Sequence, residues 1–177
     1  MYDHRPQRQN ATAKLAVLAL LAAAAIALFG STLTPKYPAI LQAIGIALLI
    51  PIIQLSTRYL FTSYLYRLRP YDDGSTDLEI YSYRGGARMQ LVCRVGLEEI
   101  TALTPLTAAN KKPPHGLRRY NYCMDIGPRD AQVLSVTNGD GDCEILLVPD
   151  KTLCDALAAA ANAPKTDTPT EDPTNEE

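Results

Sequence analysis

Two long uncharged stretches, only five residues apart, constrain this chain more than any other feature. Leu15–Leu33 reads LAVLALLAAAAIALFGSTL and Ala39–Thr57 reads AILQAIGIALLIPIIQLST, with no ionisable residue in either. Nineteen helical residues rise roughly 28 Å, close to the bilayer hydrocarbon thickness of about 30 Å. A helix apolar on every face needs a large protein core around it, or lipid. The remainder of a 177-residue chain is too small to supply that core. The two stretches, 15–33 and 39–57, are therefore expected to form a transmembrane hairpin. Gln42, Gln54 and Pro51 make the second less apolar, but a proline is tolerated in a membrane helix whose neighbours satisfy the freed carbonyl. A cleaved signal peptide would explain Arg5, Arg8 and Lys14 ahead of the first stretch. That stretch is too long for a signal peptide, however, and a second follows at once.

The link Thr34–Pro38 (TPKYP) carries two prolines and permits only a tight antiparallel turn. Ala19, Ala22 and Ala23 on one helix and Ala43, Gly45 and Ala47 on the other are expected to let the backbones approach. No Asp, Glu, His or Arg lies inside the spans, so a plain anchor is expected rather than a transport path. Arg5, Arg8 and Lys14 precede the hairpin and Arg58, Arg67 and Arg69 follow it, against Lys36 alone in the link. This bias predicts a multi-pass cell-membrane protein with both termini in the cytosol. Residues 1–14 are then a cytosolic flank and 58–70 a juxtamembrane segment. Tyr59, Phe61, Tyr64 and Tyr66 are expected at the inner interface, where amphipathic rings are favoured.

Residues 71–162 read as a β-rich domain. Asp77–Arg84 is strand-like, Gly85-Gly86 suits a two-residue hairpin turn, and Arg88–Val95 alternates with Met89, Leu91, Cys93 and Val95 on one face. Leu97–Leu103 extends the pattern with Ile100 and Leu103 inward. Arg119–Ile126 alternates with Tyr120, Tyr122, Met124 and Ile126 on one face. Ala131–Thr137 and Asp142–Val148 flank Asn138-Gly139-Asp140-Gly141, a strong hairpin signal. Asp150 is placed to cap a helix running to about Asn162, with Leu153, Ala156, Leu157 and Ala160 in one stripe. The tail 163–177, acidic and rich in Pro and Thr, is expected to be disordered. The fold class expected is α+β: a two-helix transmembrane hairpin, a small antiparallel sheet or barrel, and a C-terminal capping helix.

Two segments, LEIYSYRGGARMQLVCRVGLEEITAL (Leu78–Leu103) and ILLVPDKTLCDALAAA (Ile145–Ala160), resemble the hairpin and the last strand, proline and helix of pleckstrin-homology-like domains. Bacterial versions of that family are often attached to a transmembrane hairpin. The resemblance covers about half of residues 77–160 and implies a strongly bent sheet closed by the final helix.

The most basic stretch is the loop holding Lys111, Lys112, Arg118 and Arg119. Facing the inner leaflet, it could touch anionic headgroups at about 1 kcal/mol per cation; otherwise it is a solvated loop. Arg67 and Arg69 are expected near lipid because they follow the second span closely. Asn138, Asp140, Asp142 and Glu144 begin like a calcium loop, but Cys143 and Pro149 occupy the positions that need Gly and Glu. Cys93, Cys123, Cys143 and Cys154 form no C-x-x-C pair and are expected as free thiols in a reducing cytosol. No phosphate loop, nucleophile elbow or metalloprotease motif is present. No catalytic residue, metal or cofactor is expected.

The expected function is a non-enzymatic, membrane-tethered interaction module. A lipid-headgroup-binding module and an accessory subunit of a membrane enzyme or transporter are the alternatives. Expected partners are the bilayer, a protein or a second copy of the chain, and anionic headgroups, with no nucleic acid.

Overall fold

The uncharged stretches form helices α1 (Thr12–Leu33) and α2 (Pro38–Leu55) in a computed structural model that describes residues 1–9, 11–33, 37–85, 88–139 and 141–163. Most of the helix link, Gly86, Asp140 and the tail 164–177 lie outside the described residues. Pro38 opens α2, where a missing N–H costs nothing. Past Leu55 the chain winds on as a π-helical turn, Ser56–Phe61, before Thr62 becomes extended. Both helices are long and apolar enough to cross a membrane, with mean hydropathy 2.3 and 2.1 over an 18-residue window within Thr12–Leu33 and Pro38–Phe61 respectively.

Their seam follows a heptad spacing. Ala13, Val17, Leu20, Ala24, Ala27 and Ser31 of α1 turn inward at steps of four and three residues, as do Leu41, Gly45, Leu48, Ile52 and Leu55 of α2. Gly45 makes the close approach possible, because a Cβ there would stand 2.6 Å from Leu28 Cγ. Ala19, Ala22, Ala23, Ala43 and Ala47 face outward instead. The 3.5-residue period selects a different set of small residues than proximity in sequence suggested. The outer surface is apolar: Leu18, Ile26, Phe29, Ile46, Ile50 and Ile53 are all more than half exposed. A soluble core helix would bury such residues.

Two four-stranded sheets follow. The first orders β1 (Tyr2–His4), β2 (Thr62–Pro70), β3 (Thr76–Arg84) and β4 (Gln90–Gly96), all antiparallel. The second orders β5 (Ile100–Pro105), β7 (Gln132–Asn138), β8 (Gly141–Leu147) and β6 (Arg118–Asn121), with β6 parallel to β8. Helix α3 (Lys151–Asn162) closes the stack; Asp150 caps it by accepting from Leu153 N at 2.9 Å. Between the layers lies one core containing Tyr66, Leu78, Ile80, Ile100, Leu134, Val136, Ile145, Leu147, Leu153 and Leu157. The architecture is α+β, as the pattern of elements predicts, but the second sheet is mixed rather than antiparallel.

Five expectations about this part change. The N-terminal flank contributes a strand, β1, paired with β2. The segment 58–70 is largely β2, an integral strand of the first sheet rather than a juxtamembrane linker. In β4 the register shifts between Ile80 and Tyr81, which face Cys93 and Leu91, so Val92 is an extra residue. Cys93 and Val95 therefore face the core while Met89 and Leu91 are exposed. The β3–β4 pairing ends at Ser82↔Gln90, so the connection spans residues 83–89 rather than two glycines. Finally, the strand expected over Arg119–Ile126 stops at Asn121. Tyr122 N donates to Leu146 O at 2.9 Å and Cys123 N to Asn121 Oδ1 at 2.8 Å, which bends the chain out of the ladder. Tyr120 is exposed, whereas Tyr122 and Met124 pack on the core.

Candidate functional site

A polar cleft lies where the helix pair meets the domain. Strand β2 leaves the end of the π-helical turn, and β3 returns antiparallel with Arg84 opposite Thr62. Two strands of equal length thus bring the β3–β4 connection back beside the end of α2. The cleft between them, about 680 Å3, is lined by Gln54, Thr57 and Arg58 from the helix side and by Arg84, Arg88 and Tyr122 from the domain. Arg58 is held in place. Its guanidinium donates to the Tyr64 hydroxyl and the Asn121 carbonyl, and it lies over the Tyr59 and Tyr64 rings at 5.5 and 5.3 Å.

A second set of bonds ties the N-terminal segment to both the helix end and the domain. Arg8 donates to the carbonyls of Leu60 and Thr62, the latter at 3.3 Å. Gln9 N donates to Asp125 Oδ2 at 2.6 Å, and its side-chain amide to Asp130 Oδ2 at 3.2 Å. Further out, Arg67 grips Asp3 through two bonds of 2.7 and 2.8 Å. The Tyr2 hydroxyl donates to Asp150, and His4 Nδ1 stands 3.4 Å from the same carboxylate. The Arg67 bonds hold the Asp3 carboxyl below its usual range. Burial acts to raise Asp150, but the bonds from Tyr2 and Leu153 N and the charge of His4 outweigh it and hold it low. The chain entering α1 and the chain leaving α2 are therefore fastened to one domain at one end of the hairpin.

The sequence-based candidates fall into three groups. Arg67 and Arg69 are used within the outer face of the first sheet. Arg67 pairs with Asp3 and lies over Tyr81 at 5.3 Å; Arg69 stands 3.7 Å from Glu79 and 5.2 Å from the Tyr71 ring. They lie five and seven residues along β2 from Thr62, up to roughly 17–23 Å at strand rise. Neither lines the cleft, so their closeness in sequence to the span does not become closeness to the helix end.

Arg119 is likewise committed. Its Nε donates to Glu144 Oε2 at 2.8 Å, its Nη2 stands 2.7 Å from the same oxygen, and Nη1 donates to the Asn110 and Lys111 carbonyls at 2.8 and 3.0 Å. With both side chains about nine-tenths buried, it folds the basic loop onto β8 and is not available to a headgroup. Lys111, Lys112 and Arg118 remain exposed.

The aromatics also separate. Phe61 is 62% exposed and Tyr59 half-buried, beside the helix ends. Tyr64 and Tyr66 are corrections: both are in the domain core. Tyr66 is fully buried; its hydroxyl donates to Tyr122 O at 2.9 Å and accepts from Val148 N at 3.4 Å, joining the two sheets. Burial pushes its phenol well up. The alternation of β2 turns residues 64, 66 and 68 inward together, and core volume decides that face.

All four cysteines are free thiols. Cys123 is fully buried, and burial pushes its thiol up to about 12. Among the described residues no group of three or more His, Cys, Asp or Glu side chains is placed to hold a metal ion. Arg84 and Arg88 were not singled out by sequence reasoning. Equal lengths for β2 and β3, read from Thr62 outward and back, would have brought them to the helix end. No family model, curated protein or solved structure matches the chain.

Proposed function

We propose that this protein is a non-enzymatic module that anchors in the cell membrane by the α1–α2 hairpin, with both termini on the cytosolic side, and holds its β-rich domain directly against the bilayer surface for a protein partner or a second copy of itself. One observation carries this reading: the domain is bonded to both ends of the hairpin, through β1, Arg8 and Gln9 on one side and the π-helical turn and Arg58 on the other. A domain fastened at two points is positioned, not merely tethered. Two stacked sheets closed by α3 form a fold that does not itself imply chemistry.

The partner surface fits the open strand edges. β4 and β6 end their sheets and flank a cleft of about 940 Å3, lined by Val92–Val95 and by Arg118 and Tyr120. An added strand has unpaired backbone groups to meet there. The carboxylates Asp3, Asp77 and Glu144 are paired with Arg67, Arg94 and Arg119, which suits a binding surface better than proton transfer.

Membrane-impermeant maleimide on intact cells tests the anchor. Tyr37→Cys should be labelled from outside, while the native thiols react only after permeabilisation. Native labelling in intact cells would invert the orientation. Recovery of the full chain in the soluble fraction would end the reading. Cross-linking in membranes should yield a discrete species of higher mass that is lost when charges are introduced along β4 at Leu91 and Val92.

A further inference from the structure

We infer that the cleft between the end of α2 and the β3–β4 connection binds the phosphate headgroup of an anionic glycerophospholipid, with an acyl chain lying along α2. The inference rests on the membrane-anchor reading and assigns that anchor a specific lipid partner.

Charge is the first argument. Arg58, Arg84 and Arg88 line the cleft, and no carboxylate does. Elsewhere in the domain Arg67, Arg69, Arg94 and Arg119 each stand within ion-pair distance of an acid, whereas Arg118 and Arg129 are exposed singly to solvent; the cleft differs in gathering three arginines at one place. Among the described residues no acid lies at that distance from the three cleft arginines, so a bound anion would supply the missing charge. A guanidinium fork matches phosphate oxygens in pairs. Arg58 is already oriented by Tyr64 and Asn121, so little side-chain freedom is lost on binding. Gln54 and Thr57 add neutral hydrogen-bonding groups at the rim.

The second argument is independent and selects a lipid over a soluble phosphate. Ile46, Ile50 and Ile53 occupy one helix face at i, i+4 and i+7 and are 61%, 60% and 64% exposed. Ile53 itself lines the cleft. The apolar stripe therefore leads up α2 directly into the arginines, an order matching acyl chain followed by phosphate. A free anion has no use for the stripe.

Native mass spectrometry of the full chain, released from micelles containing phosphatidylglycerol and phosphatidylcholine, is the test. The chain should retain phosphatidylglycerol preferentially. Arg84→Gln with Arg88→Gln should weaken retention roughly thirtyfold, at about fivefold per cation near an anionic surface. Ile50→Asn should weaken it as well. Lys111→Gln, Lys112→Gln and Arg118→Gln together should leave it within about twofold, and inorganic phosphate should not displace the lipid. Arg84 and Arg88 are exposed, so an unchanged thermal melt of the double variant shows that folding is intact. Equal retention of both lipids, indifference to the double variant, or displacement by phosphate overturns the inference. Each of these leaves the anchor standing if the chain still resists carbonate extraction from membranes. A chain that carbonate releases overturns the anchor reading and this inference with it.

Discussion

Helix α1 buries Ala13, Val17, Ala24, Ala27 and Ser31 along one narrow seam and exposes Leu15, Leu18, Ile26 and Phe29, whereas β2 buries Tyr64, Leu65 and Tyr66 in succession, leaving Arg67 half-buried and Arg69 exposed. The inward face of α1 is mostly small and its outward face large, while α2 sets Gly45 among Leu48, Ile52 and Leu55 on the seam; β2 of the domain turns its largest side chains inward. Water drives the domain's arrangement, because large apolar side chains gain most by leaving it. In the hairpin the seam selects residues that permit close backbones, and the large side chains gain nothing by turning inward if lipid surrounds them. Ser31 in the seam donates to its own helix, to Leu28 O at 2.6 Å, and accepts from Gln42 Nε2 of α2 at 3.5 Å, while in the domain Tyr66 and Arg119 bond across elements.

Several substitutions would break or sharpen this contrast in the full-length protein. Arg119→Ala leaves Glu144 buried without its partner and should cost the domain about 3–5 kcal/mol in denaturant unfolding. Leu134→Ala, fully buried between the sheets, should cost about 2–5 kcal/mol by the same measurement. Tyr66→Phe keeps the ring but strands the Tyr122 carbonyl and Val148 N–H, at about 1–3 kcal/mol. In the hairpin, Gly45→Leu overpacks the seam against Leu28 and should lower the thermal stability of the helix pair by about 1–3 kcal/mol, with domain unfolding unchanged. Leu18→Ala, on the outer face, should move neither by more than about 0.5 kcal/mol. A large effect of Leu18→Ala on domain unfolding would show that the hairpin packs on protein.

Acid should separate the N-terminal latch from the rest. Asp3 and Asp150 both titrate below their ordinary value of 3.8 in the fold. A depressed carboxyl contributes stability that is complete above that value and fades as pH falls through the lower folded one. Hydrogen exchange at β1 should therefore rise below about pH 4 before the central strands respond. Asp3→Asn with Asp150→Asn should remove that pH dependence.

Sequence reasoning read the strong local signals correctly. Asp150 and the stripe through Leu153 and Leu157 define α3, and Asn138-Gly139 marks a real hairpin between β7 and β8. It missed β1, because three residues carry no period and that strand exists only through its pairing with β2. It did not see the acids that Arg67 and Arg119 meet, because a cation's partner is set by register: Asp3 faces Arg67, and Glu144 faces Arg119. Arg84 and Arg88 went unnoticed for the same reason, since Arg84 lies twenty-two residues from its neighbour Thr62.

The sequence by itself determined that two apolar helices lead into a β-rich domain ending in a capped helix, because hydrophobic period, prolines and caps act within a few residues. Only the tertiary structure decided which small residues form the seam, which tyrosines enter the core and which arginines are left facing the helix end. Those outcomes depend on strand register and on volume shared between distant segments, and neither is written in any local window of the chain.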